Sequence, residues 1–121
     1  MTPRVKFIEH QEHPVLYIDM ENADVNDMFE VAKQTKEIVR SQPKKSILTL
    51  SNVKDCQWND EVLKALKELV KNDKPYVKAA AVVGANGLRK LILYSLIRFS
   101  NRKFFSLDNL DKAKDWLIKQ K

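Results

Sequence analysis

The stretch that decides the fold runs from Val77 to Trp116 and reads VKAAAVVGANGLRKLILYSLIRFSNRKFFSLDNLDKAKDW. Its first seven residues form an almost uninterrupted apolar run, which is typical of a central strand covered on both faces. Gly84 ends this strand, and Asn86 supplies the cap of a predicted helix over residues 87–99. The stretch therefore predicts a buried strand that passes directly into an apolar helix.

The end of the same stretch predicts one more strand and one more helix. A short strand is predicted over residues 103–106, and Asp108 is expected to open the terminal helix. Four apolar residues of that helix fall at helical spacing: Leu110, Ala113, Trp116 and Leu117.

Upstream, the sequence predicts an antiparallel hairpin and two further helices. The predicted elements are strands over residues 5–9 and 15–19, a helix from residues 24–27 to about residue 41, a strand over residues 47–50, and a helix that begins at Asn59 or Asp60. The buried stripe of the first helix is expected to consist of Met28, Ala32, Thr35 and Val39, flanked by Phe29 and Val31.

The resulting order is β-β-α-β-α-β-α-β-α. Strands separated by helices of this length require right-handed crossovers, so most of the sheet is expected to be parallel. The hairpin adds an antiparallel edge. We predict a single α/β domain over residues 1–121, with a mixed, mainly parallel sheet of about five strands and four helices.

Composition narrows the class of protein. Hydrophobic residues make up 44% of the 121 residues and charged residues 31%, as in an ordinary globular protein. We see no secretory signal and no apolar run long enough for a membrane span. The single cysteine cannot form an internal disulfide, which fits a cytoplasmic location. The net charge of +6 is compatible with binding to nucleic acid, but acidic residues interspersed among the basic ones argue against such a partner.

A family resemblance lies in the order of the elements, in the Val-Val-Gly-Ala segment before the predicted helix of residues 87–99, in Trp58, and in the closing Ala113-x-x-Trp116-Leu117 motif. In these features the chain resembles the STAS-like family. The resemblance is to its small bacterial single-domain branch, related to the sporulation anti-sigma-factor antagonist. It implies a non-enzymatic regulatory module that binds other proteins. The fold is also related to the CRAL-TRIO lipid-transfer domains.

The resemblance breaks at the regulatory site of the family. Classical members carry a phosphorylatable Ser or Thr at the start of the second helix, in an Asp-Ser-Ser-Gly-like motif. Here Asp55 matches the Asp, but Cys56 and Gln57 occupy the Ser positions. Because phosphorylation needs a hydroxyl, we expect no phosphorylation site at the start of this helix.

Other candidate sites are weak. Cys56 precedes a helix N-terminus, which can activate a thiol, but no base can be placed beside it, so we expect a half-buried, slowly reacting side chain. His10 and His13 lack the further ligands of a zinc site, so no metal is expected.

The loop Gly84-Ala85-Asn86-Gly87 follows a central strand, where backbone N–H groups can hold an anion, although it lacks the nucleotide-binding glycine pattern. We predict no cofactor and no catalytic residue.

The predicted helix of residues 87–99 is apolar on two faces. Leu93, Tyr94 and Ile97 point away from the face that would cover the sheet, between Arg89, Lys90 and Arg98. A homodimer or partner interface is the preferred explanation. A pocket for an apolar, lipid-like ligand and peripheral contact with an anionic membrane are the alternatives. The predicted working surface comprises Asp55, Cys56, Trp58, Gly84, Asn86, Gly87, Arg89, Lys90, Leu93, Tyr94, Ile97 and Arg98.

Overall fold

A computed structural model describes residues 4–85, 103–107 and 109–120 of the chain. Within these ranges the elements are β1 (Val5–His10), β2 (His13–Asp19), α1 (Val25–Arg40), β3 (Ile47–Asn52), α2 (Asp60–Asp73), β4 (Val77–Val83), β5 (Lys103–Leu107) and α3 (Leu110–Ile118). Four helices were predicted and three lie in the described ranges. The predicted helix of residues 87–99 lies outside them.

The strands form one sheet in the order β1-β2-β3-β4-β5. β1 pairs with β2 antiparallel, and the three remaining pairings are parallel. The predicted α/β class and mixed sheet are thus confirmed. The parallel strands place their carboxyl ends, and the loops that follow them, at one end of the sheet.

The hairpin turn between β1 and β2 contains two residues. His10 lies opposite His13, and the backbone φ angles of Gln11 and Glu12 are 50° and 68°. Two consecutive left-handed residues in a two-residue loop define a type I′ turn, whose twist matches that of the strands. The hairpin and its polar turn were predicted, but the strands extend to His10 and from His13, beyond the predicted ends at residues 9 and 15. The tight turn was not recognised because neither Gln11 nor Glu12 is the Asn or Gly that usually marks it.

Helix α1 begins with a reciprocal cap. The Asp24 side chain accepts the Asp27 N–H, and the Asp27 side chain accepts the Asp24 N–H. Its fully buried residues are Met28, Val31, Thr35 and Val39. The predicted stripe was therefore wrong in one position, since Val31 is buried where Ala32 was expected. Phe29, predicted to flank the stripe, is 37% exposed.

Within the described ranges, the other two helices are capped by asparagines. Asn59 precedes α2 and accepts the Val62 N–H at 2.8 Å, in agreement with the predicted start. Asn109 caps α3 by accepting the Asp111 and Lys112 N–H groups, so the predicted opening at Asp108 was one residue early. No helix in the described ranges combines the length and the apolar character that crossing a bilayer requires.

Each face of the sheet has its own core. One core joins α1 and α2 to alternate strand residues such as Leu16 and Ile18. The other joins α3 to the intervening residues, among them Val15 and Leu50. This alternation is the expected consequence of the two-residue period of a strand. In the closing motif, Ala113 and Leu117 are buried and Trp116 is partly buried, so the motif anchors α3 to the sheet.

Candidate functional site

The carboxyl ends of β2, β3 and β4 lie side by side and are bonded to one another beyond the strands. The Met20 N–H donates to the Asn52 carbonyl at 2.8 Å, and the Val53 N–H donates to the Val83 carbonyl at 3.0 Å. This end of an open α/β sheet is where ligands usually bind. It is also where the predicted residues Asp55, Cys56, Trp58 and Gly84 lie.

The segment between β3 and α2, residues 53–59, is called here the β3–α2 loop. Its apolar side chains point inward, since Cys56 belongs to the core beneath α1 and α2, and Val53 and Trp58 pack against that core. Lys54, Asp55 and Gln57 are exposed. The loop therefore anchors itself with one set of side chains and presents another, charged and polar set to solvent.

Backbone hydrogen bonds hold the loop on the side of β2. The Asn22 N–H donates to the Lys54 carbonyl at 3.0 Å, and the Gln57 N–H donates to the Ala23 carbonyl at 2.8 Å. Asp55 has a φ of 54°, a left-handed conformation that L-residues adopt infrequently. The two bonds span this residue, so the surrounding structure fixes the turn at Asp55.

Cys56 is more deeply buried than the sequence predicted. Its exposed fraction is 5%, where a half-buried side chain was expected, and it forms no disulfide. Burial follows from its place in the core beneath α1 and α2. A covered thiol is poorly placed to act as a nucleophile on a substrate in solution.

The N-terminus of α2, next to the loop, is already supplied with an acceptor and with negative charge. Asn59 caps the helix, and Asp60 and Glu61 lie in its first turn. Acidic residues at this end stabilise a helix by interacting with its dipole. An additional anion here would be repelled by these two carboxylates.

Sequence reasoning missed a polar cluster at the same end of the sheet. The Asn52 side chain is 7% exposed, and its Nδ2 atom lies 3.4 Å from the Tyr17 hydroxyl and 3.5 Å from Oε2 of Glu21. Burial raises the pKa of the Tyr17 phenol, and the carboxylates of Asp19 and Glu21 raise it further, against the lowering effect of the Asn52 hydrogen bond. The signal in the sequence was an asparagine at the end of β3, two residues after Leu50.

The two histidines are not brought together with metal ligands. His10 lies opposite His13 at the hairpin turn, and its Nε2 atom is 2.8 Å from Oδ1 of Asp115 in α3. Across the described ranges, no group of three or more His, Cys, Asp or Glu side chains is arranged to hold a metal ion.

Gly84 ends β4, as predicted, and has a φ of 85°. The remaining predicted site residues lie outside the described residues: Asn86, Gly87, Arg89, Lys90, Leu93, Tyr94, Ile97 and Arg98. The anion-binding loop and the second apolar face therefore remain sequence-based predictions.

Comparison with known proteins bears on the fold. No protein-family model and no curated protein sequence matches the chain. Among solved structures, it is similar to an uncharacterized protein of the DUF3478 family with a SpoIIAA-like fold from Shewanella loihica PV-4. The TM-score is 0.76, and the match covers 93% of this chain and 91% of that one. This chain has a SpoIIAA-like fold.

The SpoIIAA-like, or STAS-like, architecture predicted from the sequence is thus confirmed. The two chains are 14% identical, so the likeness carries the arrangement of helices and strands and leaves activity open. The relationship to CRAL-TRIO lipid-transfer domains stays a prediction.

Proposed function

We propose that this protein is a non-enzymatic regulatory module that binds a protein partner through the β3–α2 loop without a phosphorylation switch. The observation that carries the proposal is the division of this loop into buried anchors and exposed polar side chains. A loop clamped on its own core offers a partner a fixed surface and loses little conformational freedom on binding.

The absence of a switch is proposed from the chemistry of the loop. The positions that match the phosphorylated serine of STAS-like proteins hold a buried thiol at Cys56 and an exposed amide at Gln57. Neither is a hydroxyl. The acidic first turn of α2 would also oppose a phosphate at this place, since its carboxylates would repel the negative charge of the phosphate. Binding would then be regulated by the amount of partner present.

The proposal can be tested with a photo-crosslinking residue in the loop. p-Benzoylphenylalanine in place of the exposed Gln57 should yield one discrete crosslinked product in the native host, and Asp55→Lys should remove it by reversing a charge on the same surface. The matched control is the same probe in place of Lys67, an exposed residue of α2 farther along the helix. Identical products from positions 57 and 67, or a product insensitive to Asp55→Lys, would contradict the proposal.

A second copy of the chain is one partner that the sequence supports. The residues involved, Leu93, Tyr94 and Ile97, lie outside the described residues, so this part rests on the sequence pattern alone. Light scattering on the wild type and on the Leu93→Glu, Ile97→Glu double variant tests it. A wild-type dimer that becomes a folded monomer supports a homodimer, and a monomeric wild type rejects it.

The alternative function is the carriage of an apolar, lipid-like molecule. It is favoured by the second apolar face of the predicted helix of residues 87–99, which would otherwise be costly to expose. Native mass spectrometry of freshly purified protein separates the two functions. Retained apolar mass supports a carrier, whereas ligand-free protein supports the interaction module.

A further inference from the structure

Gly84 occupies a position that no other residue can take without moving its neighbours. Its φ of 85° lies in the left-handed region. A Cβ atom at this position would lie 2.7 Å from the Lys54 backbone nitrogen and 2.9 Å from the Lys54 Cα. Both contacts are with backbone atoms, so a side-chain rotation cannot relieve them.

The segment of backbone that Gly84 touches is the one that starts the β3–α2 loop. On one side, the Val53 N–H is bonded to the Val83 carbonyl, next to Gly84. On the other side, the Lys54 carbonyl accepts the Asn22 N–H. The Lys54 backbone therefore lies between the exit of β2 and the exit of β4. Cys56 is covered two residues farther along the chain.

We propose that Gly84 is the positioning residue of the β3–α2 loop. The backbone at the exit of β4 sets the position of Lys54, and through it the exposed surface at Asp55 and the cover over Cys56. The importance of this coupling for partner binding rests on the proposed function. Any partner or ligand that displaces the chain at Gly84 would displace the recognition loop with it.

Cys56 provides the measurement, because it is the only cysteine of the chain. Gly84→Ala should accelerate the reaction of Cys56 with dithionitrobenzoate by about tenfold or more under native conditions, since a strained backbone makes local opening more frequent. The circular dichroism spectrum of Gly84→Ala should match that of the wild type. The expected acceleration should depend weakly on low urea concentrations, as local opening exposes little surface.

The matched control is Lys45→Val. Lys45 also has a left-handed φ, of 55°, but it lies before β3, at the opposite end of that strand from the loop. A β-branched residue there adds strain without contact with the loop, so the thiol reaction should stay within about twofold of the wild-type rate. A folded Gly84→Ala protein that reacts no faster than Lys45→Val would overturn the proposal.

A second measurement needs no variant and covers the case in which Gly84→Ala does not fold. Hydrogen exchange of the wild type should show the Asn22, Val53 and Gln57 amides protected to within about tenfold of one another, as one opening unit. Exchange of Asn22 and Gln57 that is faster than that of Val53 by more than about a hundredfold would reject the coupling. Neither readout requires a partner, so a failed crosslinking experiment and a failed positioning experiment are distinguishable.

Discussion

His10 and Asp115 join the two ends of the described chain, with the Nε2 atom of His10 2.8 Å from Oδ1 of Asp115. His10 is the last residue of β1, and Asp115 lies in α3. Gln11, in the hairpin turn, reaches the same carboxylate oxygen at 3.4 Å. The turn at the edge of the sheet is thus tied to the helix that covers one of its faces.

We expect this tie to contribute modestly to stability. The two side chains are 22% and 56% exposed, so solvent screens the pair. A double-mutant cycle with His10→Ala and Asp115→Ala should give a coupling free energy of about 0.5 kcal/mol from urea unfolding at neutral pH. Lys112→Ala, an exposed change in the same helix, is the control for a nonspecific effect on α3. A coupling indistinguishable from zero would mean that the contact does not stabilise the fold.

Much of the fold could be predicted because the strongest sequence signals are local. The apolar run of β4 needs cover on both faces, and Asp24 and Asp27 accept each other's N–H groups at the start of α1. The order of these elements then restricts the topology, because parallel neighbours require crossovers of one hand. The hairpin was predicted, but its two-residue left-handed turn was not, since Gln11 and Glu12 are not residues that favour a left-handed backbone.

The candidate site was predicted less completely, because it depends on contacts between distant residues. The depth of Cys56 is set by its place in the core beneath α1 and α2, which no local pattern records. Likewise, Asn52 reaches Tyr17 and Glu21 only because β2 and β3 are neighbours in the sheet. A strand-end asparagine was visible in the sequence, but its partners were not.

The hairpin turn offers a stabilising substitution. Glu12 has a φ of 68°, which costs an L-residue about 1 kcal/mol and glycine almost nothing. Glu12→Gly should therefore raise the free energy of unfolding by about 0.5 kcal/mol after the entropy of the unfolded chain is counted. Chemical denaturation measures the change. The control is Glu9→Gly in β1, which should lower the free energy of unfolding by about 0.5–1 kcal/mol, because glycine weakens a strand interior.

If Glu12→Gly instead destabilises the protein as much as Glu9→Gly does, the turn does not have the left-handed geometry. Each variant removes one glutamate carboxylate, so a general effect of charge would shift the two free energies of unfolding in the same direction. Opposite signs of the two changes in the free energy of unfolding would identify the left-handed turn.

Leu117 is expected to be the main anchor of α3. It is fully buried in the core beneath that helix, together with Ala113. Leu117→Ala should lower the free energy of unfolding by about 3 kcal/mol, through lost transfer energy and an unfilled cavity. Leu110→Ala is the matched control, because Leu110 is only partly buried against the same core and should cost clearly less. Equal losses from the two variants, measured by urea unfolding with unchanged m-values, would contradict this packing.

The Tyr17 phenol should make stability depend on pH in the alkaline range. Burial raises its pKa above the ordinary value of 10.0, and the Asp19 and Glu21 carboxylates add to this effect, while the Asn52 hydrogen bond opposes it. Between the two pKa values the unfolded chain binds fewer protons than the folded chain, so the free energy of unfolding falls as pH rises. The stability that the neutral Tyr17 phenol contributes to the fold is fully present below about pH 10 and is lost as pH rises through the folded-state pKa. Tyr17→Phe removes the titrating group, and its free energy of unfolding should fall less steeply than that of the wild type as pH rises above about 10 in urea titrations. Parallel pH profiles for the two proteins would show that the phenol ionises as easily in the folded chain as in the unfolded one, against its placement beside Asn52 and the two carboxylates.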